Sequence, residues 1–181
     1  MEKKVIVLAF LSPLDDDPWL NRLTAKTSKH PFCHVKLVFN PYSKPLGFNV
    51  QEGEEVTLRP TKLSNPCYTT LSVAMPVSNY NRIYSFCERA AQSQIKMDDC
   101  GMYTSYIHPG GCCHISSQTR GATFCSKIIC EALQAGELPE VANISPSRCT
   151  PSMLYSAFRD SSSQIVGPMR LPQVLVLPSG R

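Results

Sequence analysis

The chain has 181 residues, 43% of them hydrophobic and 18% charged, with a formal net charge of +4. That is the size of one domain with apolar material enough for a core, far from the composition of a disordered chain. The charge is mild and no run of Lys or Arg forms a stripe, so nucleic acid is not an expected partner. No stretch approaches 18 consecutive apolar residues, so no membrane span is expected either.

The opening "MEKKVIVLAFLSPLDDDPW" has the basic start and apolar run of a signal peptide, but it reaches "DDD" without a small-residue cleavage site. It reads as a first strand over 4–10. "DPWLNRLTAKTS" is expected to carry a short helix capped by Asp17, with Pro18 at its first position. "FCHVKLVFN" (32–40) reads as a strand, "PYSKPLG" as a turn, and "FNVQ" as the returning strand of a hairpin. "EEVTLRP" and "CYTTLSVAMP" (67–76) extend this to an antiparallel meander.

The period then changes. In "SNYNRIYSFCERAAQSQI", Tyr80, Ile83, Tyr84, Cys87 and Ala91 recur at three and four, which predicts an amphipathic helix over about 79–94 capped by Ser78 or Asn79. Residues 97–122 show no clear period, and a segment this long without one reads as a functional loop or lid. "FCSKIICEALQAG" predicts a helix closed by Gly136. "CTPSMLYSAF" predicts another, with Thr150 as cap and Pro151 at the first helical position. "PQVLVLP" reads as a last short strand. The expectation is one α+β domain over 1–181, an antiparallel sheet with packed helices.

Nine cysteines stand at 33, 67, 87, 100, 112, 113, 125, 130 and 149. The odd count and irregular spacing do not form a disulfide framework, and several lie inside apolar patterns where free thiols pack as small hydrophobes. A reducing compartment, cytosol or nucleus, is expected. Cys125 differs from the others in position. It shares an apolar face with Ile128, Ile129, Ala132 and Leu133, yet it opens its helix, where unpaired N–H groups and the helix dipole favour a thiolate. The same N–H groups can hold an oxyanion, and the small residues of "GAT" leave room before it.

A nucleophilic cysteine needs a base, and the base needs an orienting polar group. His34, opening "HVKLVF", can face a helix end packed on its sheet. If the two strands of the hairpin pair across the turn with Asn49 opposite Leu37, Asn49 and Gln51 point to one side and Phe48 and Val50 to the other. Either amide can then accept the second N–H of the imidazole. A zinc site over Cys100, His108, Cys112, Cys113 and His114 is the weaker alternative, because zinc sites favour C-x2-C pairs and none is present. No metal and no cofactor are expected.

"HPFCHVKLVF" followed much later by "FCSKIICEAL" resembles the circularly permuted papain-like cysteine hydrolases. That group includes NlpC/YiiX-like enzymes, a poxviral relative and, more distantly, the lecithin–retinol acyltransferase-like proteins. "EEVTLRP" is similar to a strand of that group ending in an apolar-basic-proline sequence, and "CTPSMLYSAF" to its TPxxL helix. The resemblance implies a permuted papain-like fold with Cys125 as nucleophile, His34 as base and Asn49 as orienting residue, Gln51 in reserve. Lys36 stands where such strands often carry glycine, and Asn49 where relatives carry Glu or His. The implied function is thiol-dependent hydrolysis or acyl transfer on an amide, ester or isopeptide bond, with a peptide, isopeptide or lipid ester as substrate and a viral or a cellular source. The alternative is a catalytically degenerate domain of the same fold that binds a protein partner.

Overall fold

The computed structural model describes residues 2–14, 22, 25–26, 29–50, 55–62, 68–97, 122–160 and 165–166. Its centre is β1 (Lys3–Leu11), a β-branched and aliphatic run buried along most of its length. β1 pairs antiparallel with β2 (His34–Phe39) on one side and with β5 (Tyr68–Pro76) on the other. β3 (Leu46–Asn49) and β4 (Thr57–Pro60) extend the sheet beyond β2, and β8 (Ile165–Val166) pairs with β5, giving the order β4-β3-β2-β1-β5-β8. A separate parallel pair joins β6 (Lys96–Met97) to β7 (Ala122–Thr123). The architecture is therefore α+β. The expected meander holds from β1 to β4 only. β5 returns to pair with β1, so the chain after β4 must cross the sheet.

Register fixes which residues share a face. Ile6 lies opposite Phe39, Leu8 opposite Leu37 and Phe10 opposite Val35. With Phe48 these form one apolar face, in the same buried cluster as helix residues Ile83, Ile128, Ile129 and Leu133. Complete burial of a side chain of this size contributes about 1.5–3 kcal/mol.

The opposite face is buried as well. Val7, Ala9, Val38, Lys36 and Ser72 are all buried. The segment that follows β4 lies over it. Thr61 donates its N–H to the Pro45 carbonyl at 3.0 Å, and its side chain rests on Gly47, where a Cβ would stand only 2.8 Å from it.

Three helices pack on the sheet: α1 (Val77–Gln92), α2 (Cys125–Ala135) and α3 (Pro151–Asp160). α1 buries Tyr80, Ile83, Cys87 and Ala90, the predicted stripe shifted by one residue at its end. The expected cap is absent. Pro76 is the N-cap, with no side-chain bond, because Asn79 is used elsewhere: its Nδ2 donates to the Gly136 carbonyl at 2.8 Å and ties α1 to the end of α2. Thr150 does cap α3, accepting the Met153 N–H at 3.2 Å. Of the short helix expected near Asp17, only Arg22, Ala25 and Lys26 are described, and they are helical; the strand "PQVLVLP" lies outside the described residues.

Gly136 closes α2 where α1 passes. A Cβ there would overlap the side chain of Ile83, which is fully buried and has little room to yield. Gly136→Ala is therefore expected to destabilise the fold by about 1–3 kcal/mol through overpacking. Urea unfolding with an unchanged m-value is the check.

Candidate active site

The segment before β2 is pinned at several points. The His30 N–H donates to Ser152 Oγ at 3.1 Å, and the His30 ring packs edge-on against Tyr155 of α3 with centroids 4.8 Å apart. Phe32 and Phe10 join that aromatic group. The Cys33 N–H reaches the Leu11 carbonyl at 3.0 Å. β2 therefore begins at His34 in a fixed place, beside Leu11 of β1.

On its other side β2 pairs with β3 only through Leu37–Phe39. Among the described residues the ladder stops there, and the first half of β2 has an open flank. The start of α2 meets it. The N-cap of α2 is Phe124, which has no oxygen to offer, so the first N–H groups of the helix are left without a side-chain cap. Cys125 is the first helical residue and is 1% exposed. Three backbone N–H groups act on its sulfur: that of Val35 in β2, and those of Ser126 and Cys125 itself. The amide nitrogen of Val35 is two bonds from the Cα of His34. The sulfur consequently lies at the backbone of the residue expected to be its base.

Electrostatics modify the expected state of the thiol. The N–H groups favour a thiolate, but burial outweighs them and raises the Cys125 pKa above the usual thiol range. The expectation that the helix end holds a resting thiolate is corrected: the sulfur sits under the packed face of the sheet, where desolvation is the larger effect. His34 moves in the complementary direction. Burial, then the positive charge of Lys36, lowers its pKa from 6.5 to about 4. At neutral pH the pair is thiol and neutral imidazole, the protonation state from which general-base transfer starts.

His34 keeps some exposure as a residue, but its Nε2 is buried and has no hydrogen-bond partner among the described residues. Buried ring nitrogens are nearly always paired, so this atom calls for a partner, a water, a proton or a ligand. No hydrogen bond links it to the Cys125 sulfur in this structure. Thr123 Oγ1, two residues before Cys125, is a second buried polar atom without a partner among the described residues.

Asn49 is not bonded to the imidazole. Its Oδ1 accepts from Thr57 Oγ1 at 3.2 Å. The expected register was one residue off: Phe48, not Asn49, lies opposite Leu37. The facing was right, because Phe48 and Val50 are fully buried while Asn49 is half-buried on the other side, the side that strand alternation gives to His34 and Lys36. Gln51 lies outside the described residues, as do Cys100, His108, Cys112, Cys113 and His114. Among the described residues no group of three His, Cys, Asp or Glu side chains could hold a metal ion.

Two contributors were missed. Ser126 is buried and donates to the Cys149 carbonyl at 2.6 Å, which fixes the first turn of α2. Lys36 is 6% exposed and hydrogen-bonds Thr61 Oγ1 at 3.2 Å and the Lys62 carbonyl at 3.4 Å, with its ammonium 4.3 Å from the Tyr68 ring centroid. The sequence did signal Lys36, as a cation in a strand of Val, Leu and Phe. A cavity of about 300 Å³ lined by Lys3, Lys4, Asn40 and Tyr80 lies at the far end of β1 and β2 and contains none of these residues.

No helix among the described residues is long and apolar enough to cross a membrane. No protein-family model matches the chain, and no curated protein matches it in sequence.

Proposed function

We propose that the chain is a thiol-dependent hydrolase or acyltransferase of permuted papain-like type, acting on an amide, ester or isopeptide bond. The observation that carries the reading is the meeting of the Cys125 sulfur with the Val35 amide, one residue from a His34 whose buried Nε2 has no partner among the described residues. The starts of β2 and α2, far apart in sequence, are neighbours in the fold, which supports the reading; strand alternation turns the His34 side chain away from the face on which Val35 and the helices pack, so the transfer requires the imidazole to reach round the open flank of β2.

In this mechanism Nε2 of His34 takes the Cys125 thiol proton as the sulfur attacks the acyl carbon. The carbonyl π electrons pass to oxygen, and the N–H groups at the start of α2 stabilise that oxyanion. Collapse expels the amine or alkoxide, which leaves with the proton held by His34. Water, or a second nucleophile in an acyltransferase, resolves the thioester by the same steps in reverse order. Asn49 orients the imidazole if its carboxamide releases Thr57, with Gln51 in reserve. The chemistry needs no cofactor. The five described cysteines are all buried, where thiols pack as small hydrophobes, which is in keeping with a reducing compartment.

The test is acyl capture. Incubation with a panel of p-nitrophenyl esters and peptide thioesters, quenched in acid, is expected to give one acyl adduct on Cys125 by peptide mass mapping. Adducts spread over several cysteines, or none on Cys125, would refute the reading. One observation favours the alternative, a degenerate protein-binding domain: the sulfur is 1% exposed and its pKa is raised. Such a domain would fail acyl capture while remaining folded.

A further inference from the structure

Two thiols that the proposed chemistry does not use meet in the interior. Cys130 lies on α2 and Cys149 just before α3, and both are fully buried. The sequence between them folds back along α2 through two 3-10 turns, Pro139–Val141 and Pro146–Arg148. Gln134 ties it there, donating from Nε2 to the carbonyls of Val141 at 2.9 Å and Ile144 at 2.7 Å. Ser126 ties its far end through the 2.6 Å bond to the Cys149 carbonyl. This return brings the Cys130 and Cys149 side chains into hydrogen-bonding contact with each other. Their other bonds are weak. Cys130 reaches the Ile144 carbonyl at 4.0 Å and Cys149 the Thr150 carbonyl at 3.9 Å, long even for a sulfur donor. Two thiols that touch, on two anchored pieces of backbone, are the starting geometry of a disulfide, in which the sulfurs close to about 2 Å.

Cys149 also stands between the two halves of the candidate site. Its carbonyl holds the hydroxyl of Ser126, and both the N–H and the side chain of Ser126 act on the Cys125 sulfur. Thr150, the next residue, caps α3, whose Ser152 pins His30 ahead of β2. Movement of Cys149 toward α2 is therefore passed to the seat of Cys125. We propose that Cys130 and Cys149 are a redox-active pair, joined by peroxide into a disulfide that displaces Ser126 and silences Cys125. The bond follows from the contact of the two side chains, and its effect on Cys125 rests on the proposed thiol chemistry. One sulfur, as thiolate, attacks the O–O bond, giving a sulfenic acid and a hydroxide that is protonated to water. The second sulfur attacks the sulfenic sulfur, forms the S–S bond and expels hydroxide, which takes up the thiol proton as a second water. The pair loses two electrons and two protons, and one peroxide becomes two waters. Burial does not bar so small an oxidant, which enters as segments open locally. A transient regulatory disulfide is also the kind a reducing compartment permits.

Hydrogen peroxide is the probe. The full chain is oxidised, its remaining thiols are blocked with iodoacetamide, and peptide mapping without reductant locates the bridge. The expected product is a peptide pair joined through Cys130 and Cys149, lighter by two hydrogens and opened by dithiothreitol. Cys149 also feels the Cys125 sulfur, so a Cys125–Cys149 bridge is the competing product. That bridge, or oxidised single cysteines with no bridge, would overturn the assignment. Iodoacetamide labelling of Cys125 is expected to fall on the order of tenfold after oxidation and to return with dithiothreitol, since misplacing a reacting group by about an ångström costs that much or more. Cys130→Ala cannot form the bridge and is expected to keep its Cys125 labelling through the same treatment; Cys149→Ala takes its place if it does not fold. If the variant loses labelling as the wild type does, peroxide acts on Cys125 directly and the switch is refuted. A Cys125 that is unreactive in the reduced protein would instead refute the thiol chemistry, and the mapping alone would decide the pair.

Discussion

Cys125→Ser is expected to abolish turnover of any ester or amide that wild type cleaves, by on the order of 10³-fold or more, while the fold survives. The two side chains differ little in size. The serine hydroxyl would take the place of a sulfur that already receives N–H groups from Val35, Ser126 and its own backbone. It would not be left without partners, so the cost in stability is about 1 kcal/mol. A neutral imidazole of low basicity cannot activate a hydroxyl, whose proton is far more firmly held than that of a thiol. Steady-state rates beside thermal melts measure both halves of the expectation. Retained activity with a normal melt would remove Cys125 from the chemistry.

His34 governs the second large effect, stability in acid. Its pKa is about 4 in the folded protein against 6.5 when solvated. Between those values the unfolded chain binds the proton and the folded one does not, so falling pH favours unfolding. The stabilisation from keeping His34 neutral is complete above pH 6.5 and is lost as pH falls toward 4. The shift of about 2.5 units corresponds to about 3 kcal/mol over that window. His34→Gln removes the ionisable group and is expected to flatten the stability–pH curve between pH 7 and pH 4 by about that amount. Urea titrations at half-unit pH intervals give the slope. An identical slope in wild type and variant would mean that the imidazole is not held neutral by its surroundings.

Much of the fold was legible because local pattern and burial agree. "KVIVLAF" is a central strand with partners on both sides, so an unbroken apolar run predicts it well. The stripe from Tyr80 to Cys87 and the Thr150–Pro151 start were read for the same reason. The return of β5 to β1 was not legible, because a long-range pairing leaves no periodic trace in either strand. The hairpin register slipped by one residue because the turn length could not be read from a segment with two prolines and a glycine; β3 starts at Leu46, inside the expected turn.

Around the site, Cys125 and His34 were singled out from chain position and residue type, both local properties. The thiol's protonation state was misjudged because the dipole at a helix start is visible in sequence, whereas the depth at which that start is buried is not. The burial of Lys36 was not legible for a related reason. An alternating strand predicts a solvated lysine on its outer face, and only the crossing segment at Thr61 and Lys62 turns that face into an interior.

The measurement that bears most directly on the whole account is the alkylation rate of Cys125 by iodoacetamide at pH 7, compared residue by residue with the other eight cysteines, in wild type and in His34→Ala. Cys125 is expected to react first in the wild type despite its burial, and removal of the imidazole to erase the advantage. A Cys125 that reacts no faster than Cys87 or Cys130, or one whose rate is indifferent to His34, would show a packed core thiol and contradict the account.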